Sequence, residues 1–267
     1  MINFLLLLCT FLATSLTGEI QIINHLDEIK GYLSNDPSST EWVIFDIDNT
    51  LTTCTHPALQ IPVYRANRQR FMDEFAKYTK EQQHYLPALI VTEGQRKLID
   101  SQTPVLISEL QFSGVTVFGF TALNSGATPN GENFPSWRKN ELESLNINFS
   151  QEPHSPLPKE SIEFRQFPSF EGSYPLYQDG VLYSNVIPTK GDVFLAFLEK
   201  VEQKPKRIIF IDDSLKNVVS VEEATKKIGI EYVGLHYMEQ QASDAPTITD
   251  EIWRSFWDTV PERIKQF

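Results

Sequence analysis

Trp42-Val43-Ile44-Phe45-Asp46-Ile47-Asp48-Asn49-Thr50-Leu51 is an apolar run that ends abruptly in acid. Consecutive β-forming residues with no polar partner among them suit a strand covered on both faces, the habit of parallel sheets. The same grammar recurs downstream. Val115-Thr116-Val117-Phe118-Gly119-Phe120 ends at Thr121, and Arg207-Ile208-Ile209-Phe210-Ile211 ends at Asp212. A fourth run, Tyr232-Val233-Gly234-Leu235, lies further on. Helical-looking stretches precede the later runs: Pro104 to Phe112, Gly191 to Gln203 and Leu215 to Ile228. Strands alternating with helices predict an α/β fold, a parallel sheet with helices on both faces. Ligands of such sheets sit outside the carboxyl ends of the strands. Asp46, Thr121 and Asp212 stand at those ends.

Two stretches interrupt the alternation and divide the chain. Residues 52–102 are rich in Tyr, Gln, Arg and Phe and predict a mostly helical insertion over the site. Residues 126–180 begin with a turn-rich segment, carry a helix near Trp137 to Leu145, and continue through a Pro- and Ser-rich loop from Pro153 to Pro158 into short strands. The α/β core is then expected in 19–51 and 103–267, with 126–180 as a loop and hairpin insertion. Near the end, Trp253, Phe256 and Trp257 fall at i, i+3, i+4, a stripe read as core packing.

Residues 1–18 contain no charged side chain, and the apolar stretch Phe4 to Leu12 is too short to span a bilayer. With Ala13 and Ser15 spaced like a cleavage signal, the expectation is a signal peptide and an exported chain, periplasmic or secreted, not stably inserted in a membrane afterwards. A buried N-terminal strand or an uncleaved anchor is the alternative. The formal net charge of -12 and pI near 4.9 oppose nucleic-acid binding by charge. Cys54 stands alone beyond the leader, so no internal disulfide is expected. His56, His84, His154 and His236 lack zinc-like spacing, and phosphate-cradling glycine loops are absent. Nothing in the sequence speaks to oligomeric state.

The chemistry concentrates in a few loops. Asp46 and Asp48, two apart at a strand exit, face one cavity if the chain leaves the extended state after the first. One could then attack phosphorus while the other handles the leaving-group proton. Carboxylates so close repel, and a divalent cation relieves the repulsion. Asp212 and Asp213 end the third run; Asp213 or Ser214 could equally cap the following helix. Oxygen-only ligands of this kind suit Mg2+. Thr121 offers a hydroxyl at a strand end, and Lys190 an ammonium beside a helix N-terminus, a favourable anion site. Each alone has an ordinary reading; their order and spacing carry the expectation.

In chain order, FDIDNTL, FGFTALNSG, the lysine of IPTKGD and FIDDS resemble the four motifs of the haloacid dehalogenase-like (HAD-like) superfamily, over roughly residues 40–240. The closer likeness is to an uncharacterised family of exported bacterial HAD-like proteins. The resemblance implies a Rossmann-like core with an inserted cap, Asp46 as nucleophile and Asp48 as general acid/base. It implies Thr121 and Lys190 as phosphate ligands, and Asp46, Asp48, Asp212 and Asp213 at a magnesium ion. The second aspartate of D-x-D is the superfamily's phosphatase pattern, so the expected activity is magnesium-dependent hydrolysis of a small phosphomonoester. The alternative is a non-catalytic phosphate- or partner-binding protein retaining the same pocket.

Overall fold

The computed structural model describes residues 19–38, 40–128, 130–150, 156–201, 204–239 and 244–266. The leader expected at 1–18 lies outside the described residues, as do residues 153–155 of the expected loop. The described chain opens with β1 (Glu19–Ile23), a short 3-10 helix over Leu26–Tyr32, and β2 (Glu41–Phe45). Then come β3 (Thr52–Cys54), α1 (Ile61–Ala66), α2 (Arg68–Phe75), α3 (Lys80–Gln83), α4 (Leu86–Val91) and β4 (Arg96–Leu98). The chain continues through α5 (Thr103–Phe112), β5 (Thr116–Thr121) and α6 (Phe134–Ser144). Short strands β6 (Ile162–Glu163), β7 (Leu176–Gln178) and β8 (Val181–Tyr183) lead to α7 (Lys190–Leu198), β9 (Arg207–Asp212), α8 (Leu215–Ile228) and β10 (Glu231–Tyr237). Helices α9 (Asp250–Trp257) and α10 (Val260–Arg263) follow.

The central sheet has the order β1-β10-β9-β2-β5-β8-β7-β6. It is parallel from β1 through β8, and β7 and β6 continue it antiparallel. The α/β fold with a mostly parallel sheet is therefore as the apolar runs imply. The reason is visible residue by residue. On β2, Val43 and Phe45 join one core cluster while Trp42 and Ile44 join the other. On β9, Ile209 and Ile211 fall to the first and Ile208 and Phe210 to the second. Alternate side chains thus bury on opposite faces, each large one contributing about 1.5–3 kcal/mol. Helix α5 packs Leu106, Ile107 and Leu110 on the first face; α7 and α8 pack Phe194, Phe197, Val218 and Val221 on the second.

Three elements differ from the sequence reading. The edge strand β1 pairs with β10 and was not expected. Helix α7 ends at Leu198, short of Gln203. The C-terminal stripe also has another partner: Trp253, Phe256, Trp257, Val260 and Ile264 bury against Cys54, Ala58, Phe71, Leu86 and Leu89 of the 52–102 segment, not against the sheet. Phe71 meets Trp253 edge-on at 4.8 Å, the Arg70 guanidinium lies 4.2 Å over the Trp253 ring, and Trp253 Nε1 donates to Glu74 at 3.1 Å. The 52–102 segment and the C-terminal helices thus share one hydrophobic cluster, separate from the two that flank the sheet.

Candidate functional site

The site forms where β2, β5 and β9 end. Asp46 continues β2 by donating its N–H to Ile211 O at 2.8 Å, and the chain then turns sharply. Leu51 N and Thr52 N both donate to Ile47 O at 3.0 Å, and Asn49 takes a left-handed φ of 67° that asparagine tolerates. Asp46 and Asp48, on either side of Ile47 at the entry to this turn, both line one cavity. Thr50 ties the acidic loops together: its Oγ1 donates to Asp46 Oδ2 at 2.9 Å and accepts from Asp213 N at 3.1 Å.

Lys190, at the first position of α7, is buried among carboxylates. Its Nζ donates to Asp46 Oδ1 at 2.6 Å, Asp212 Oδ2 at 2.8 Å and the Phe120 carbonyl at 2.5 Å. Three donors thus meet three acceptors, beside the rings of Phe120 and Phe210. Lys190 is absent from the cavity wall, with 1% of its side chain exposed, so it sits behind Asp46 and supports it. Direct contact between Lys190 and a ligand in the cavity, as the sequence suggests, would require one of these bonds to be exchanged. Glycine follows for a steric reason: a Cβ at Gly191 would lie 2.2 Å from Ser220 O of α8, so only glycine lets α7 approach closely enough to place the lysine.

Asp46, Asp212 and Asp213 each offer an oxygen within 4.8 Å of one another. Asn217 Nδ2 and Ser214 N hold Asp212 in place. Three carboxylates against one ammonium leave two negative charges in excess if all are ionised. The electrostatics register this excess. Burial, then the neighbouring Asp212, pushes Asp46 up to about 7 despite the opposing pull of Lys190. Burial, then Asp46 and Asp212, pushes Asp213 up to about 8. An all-oxygen set with excess negative charge fits a hard divalent cation such as Mg2+.

Asp48 is placed differently from the sequence expectation. It stands outside this trio, among cations. Arg138 Nη2 donates to both its oxygens at 2.7 Å, Arg96 Nη2 donates to Oδ1 at 3.0 Å, and Thr121 Oγ1 donates to Oδ2 at 3.0 Å. Burial alone would raise its pKa; Arg138 and then Arg96 outweigh it and hold the carboxyl below the usual range. The acids that cluster within 4.8 Å of one another, Asp46, Asp212 and Asp213, do not include Asp48. The Thr121 hydroxyl, expected to be a phosphate ligand, is already engaged by Asp48 and by the Leu123 N–H at 3.0 Å, though Thr121 does line the cavity. The sequence reading missed both arginines. For Arg138 there was a signal: with Phe134 and Leu142 it occupies i, i+4, i+8, so a cation sits on the buried stripe of α6.

A cavity of about 810 Å³ opens above the acids, within the range of small-molecule sites. Both insertions contribute to its wall: Pro87, Ala88 and Val91 from α4, and Ser169, Phe170 and Glu171 from the second. Beyond β8 the wall is built at conformational expense. Asn185 and Val186 take φ values of 64° and 66°, and for a β-branched residue this region costs on the order of 1–3 kcal/mol. The fully buried Asn185 side chain fixes the turn through Ser125 N, Ser173 Oγ and Ser173 O.

Residues 22–264 match the family described as "Protein of unknown function (DUF2608)". The chain belongs to that family. Among its relatives, an uncharacterised protein of Rickettsia bellii is 27% identical over 260 residues, 90% of this chain and 84% of the relative. One from Rickettsia prowazekii is 30% identical over 165 residues, spanning 60% of this chain and 54% of that protein. A Chlamydia pneumoniae relative that carries a provisional outer membrane protein name is 26% identical over 247 residues, 90% and 83% of the two chains. Among the described residues of this DUF2608 chain, no helix is long and apolar enough to cross a membrane.

Proposed function

We propose that this chain is a magnesium-dependent phosphatase with a HAD-like core and a composite helical cap, hydrolysing phosphomonoesters through an aspartyl-phosphate. The observation that carries the reading is the clustering of Asp46, Asp212 and Asp213 within 4.8 Å of one another, Asp46 and Asp213 on the cavity floor, with Lys190 bonded to Asp46 and Asp212. Asp46 is the nucleophile: its carboxylate attacks phosphorus, and the bond from phosphorus to the ester oxygen breaks. Water then attacks the aspartyl-phosphate, regenerating Asp46 and releasing inorganic phosphate. The alkoxide leaves with a proton that Asp48 holds, and Asp48 recovers one from the water that attacks the aspartyl-phosphate, so over the whole cycle the net reaction consumes one water. Magnesium, held by Asp46, Asp212 and Asp213, would supply positive charge to the phosphoryl oxygens. Lys190 orients Asp46 and offsets part of its charge.

Asp48, ionised beside Arg138 and Arg96, suits the second half-reaction, in which it takes the proton of the attacking water. Protonating the leaving group in the first half asks it to hold a proton that the two guanidiniums disfavour. The same pair of guanidiniums favours a second reading, a phosphate- or partner-binding protein without turnover. Hydrolysis of p-nitrophenyl phosphate, with and without magnesium, by wild type and Asp46→Asn decides between them. Metal-dependent hydrolysis lost in the variant supports the enzyme; no hydrolysis by folded, metal-bound wild type supports the binder. We further propose export, compatible with the outer membrane names of the Chlamydia relatives.

A further inference from the structure

We infer that the substrate is the phosphate monoester of an apolar alcohol or phenol, not of a sugar or a nucleoside; this rests on the phosphatase reading of the same site. The cavity has two unlike halves. Its floor is Asp46, Asp48, Thr121 and Asp213, while Pro87, Val91, Leu123, Phe170, Val186 and Ile187 form an apolar wall above. Val186 and Ile187 are 57% and 52% exposed, large aliphatic side chains that water now covers. They stand on the left-handed Asn185–Val186 turn, which the buried Asn185 side chain locks, so their presentation toward the cavity is fixed by the fold. A ligand group covering them gains the usual advantage of removing apolar surface from water.

Part of the hydrogen-bonding capacity of the upper half's polar groups is spent within the protein. Gln83 turns its amide nitrogen to the carbonyls of Phe75 and Tyr78, both at 3.0 Å. Asn124 Oδ1 accepts from Gly126 N at 2.9 Å, and the His84 ring lies against Phe170 at 6.0 Å. Among the described residues, no lysine or arginine lines the cavity, and Glu171 does. A second phosphate or carboxylate on the leaving group would meet that acid with no cation to offset it. Net hydrolysis is ester plus water to free apolar alcohol plus inorganic phosphate, with no further reactant.

The test uses p-alkylphenyl phosphates with methyl, propyl and hexyl substituents, which enlarge the apolar group while leaving the acidity of the phenol nearly constant. Matching p-alkylphenyl phosphonates, which cannot be hydrolysed, are titrated by calorimetry with magnesium present. The expected result is a gain of roughly 4-fold per methylene in both kcat/KM and affinity until the cavity fills. Glycerol phosphate and nucleoside monophosphates should trail the propyl ester by more than tenfold. Ile187→Ser, at an exposed position, should flatten the series. A flat series with good turnover overturns the inference and leaves the phosphatase intact, as does a preference for the polar esters. Rising phosphonate affinity without any hydrolysis upholds an apolar phosphate-bearing ligand and sinks the enzyme. Neither binding nor hydrolysis sinks both.

Discussion

Two buried ion clusters lie a few residues apart at the end of β2, and they are balanced differently. Around Asp48, two carboxylates meet two guanidiniums: Arg138 bonds both Asp48 and Glu141, and Arg96 bonds Asp48 with its Nε 3.9 Å from Glu141. Around Asp46, the Lys190 ammonium pairs with Asp46 and Asp212, and Asp213 brings a third carboxylate within 4.8 Å of both. The first cluster is balanced in formal charge, although Arg96 Nε, Arg138 Nε and Glu141 Oε1 are buried there without a hydrogen-bond partner. The second keeps carboxyl groups near neutral pH only by raising their pKa values, which is the condition a divalent cation would relieve. Two aspartates separated by one residue therefore sit in different electrostatic surroundings, Asp48 held low by two guanidiniums and Asp46 raised by burial and a neighbouring carboxylate.

The largest expected effect lies in the unbalanced cluster. Asp46→Asn removes the attacking oxygen but keeps the shape, and turnover of p-nitrophenyl phosphate should fall by at least ~5 kcal/mol in activation free energy. Retained activity would break the contrast at its root. The balanced cluster should answer in stability instead. Arg138→Met leaves Asp48 and Glu141 with only Arg96, and breaking a buried pair this way costs about 3–5 kcal/mol in urea unfolding. Adding Asp48→Asn should return part of that loss, because the orphaned charge is then gone. Equal losses in the single and double variants would mean that packing, not charge, is what Arg138 supplies.

Magnesium sharpens the contrast next. At a hundredfold its Kd it should raise wild-type stability by about 2.7 kcal/mol, read as a higher Tm. Asp213→Asn should stabilise the metal-free protein by relieving repulsion, and blunt this response. The pH dependence has a definite sign. Asp46 and Asp213 are raised above ordinary carboxylates, so across the interval from about 4 to 8 the folded state binds more protons than the unfolded chain. Metal-free stability from these groups therefore falls as pH rises, while magnesium affinity grows as the competing protons leave. Calorimetric Kd values should be tighter at pH 8 than at pH 6; pH-independent binding would place the ion elsewhere.

The two clusters were also unequally legible in the sequence. Asp46, Asp212 and Asp213 follow apolar runs whose alternate residues fill two separate cores, so strand ends, and with them the acids, follow from local pattern. Arg138 and Arg96 pair with Asp48 across 90 and 48 residues, and no local rule states which carboxylate a cation will meet. The C-terminal stripe illustrates the same boundary. Its spacing specifies burial of Trp253 and Trp257, yet only the fold reveals Phe71 as the surface that receives them. Thr121 shows a subtler limit: its position was readable, but the prior claim of Asp48 on its hydroxyl was not.

The smallest effect concerns how the lone ammonium is delivered. Lys190 heads α7, and the next residue touches α8, where an added Cβ would stand 2.2 Å from a backbone oxygen that no rotamer can move. Gly191→Ala must therefore push the two helices apart, and overpacking of this kind costs about 1–3 kcal/mol. Gly31 is the control: a Cβ there meets nothing within 4 Å, so Gly31→Ala should shift unfolding by at most about 0.5 kcal/mol. The displacement at α7 also draws Lys190 away from Asp46 and Asp212, while Arg138, carried on α6, keeps its partners. Gly191→Ala should then lose turnover beyond its loss of folded fraction, measured well below its Tm. A variant that is merely less stable, with wild-type kcat, would show that Lys190 does not depend on this close helix contact for its position.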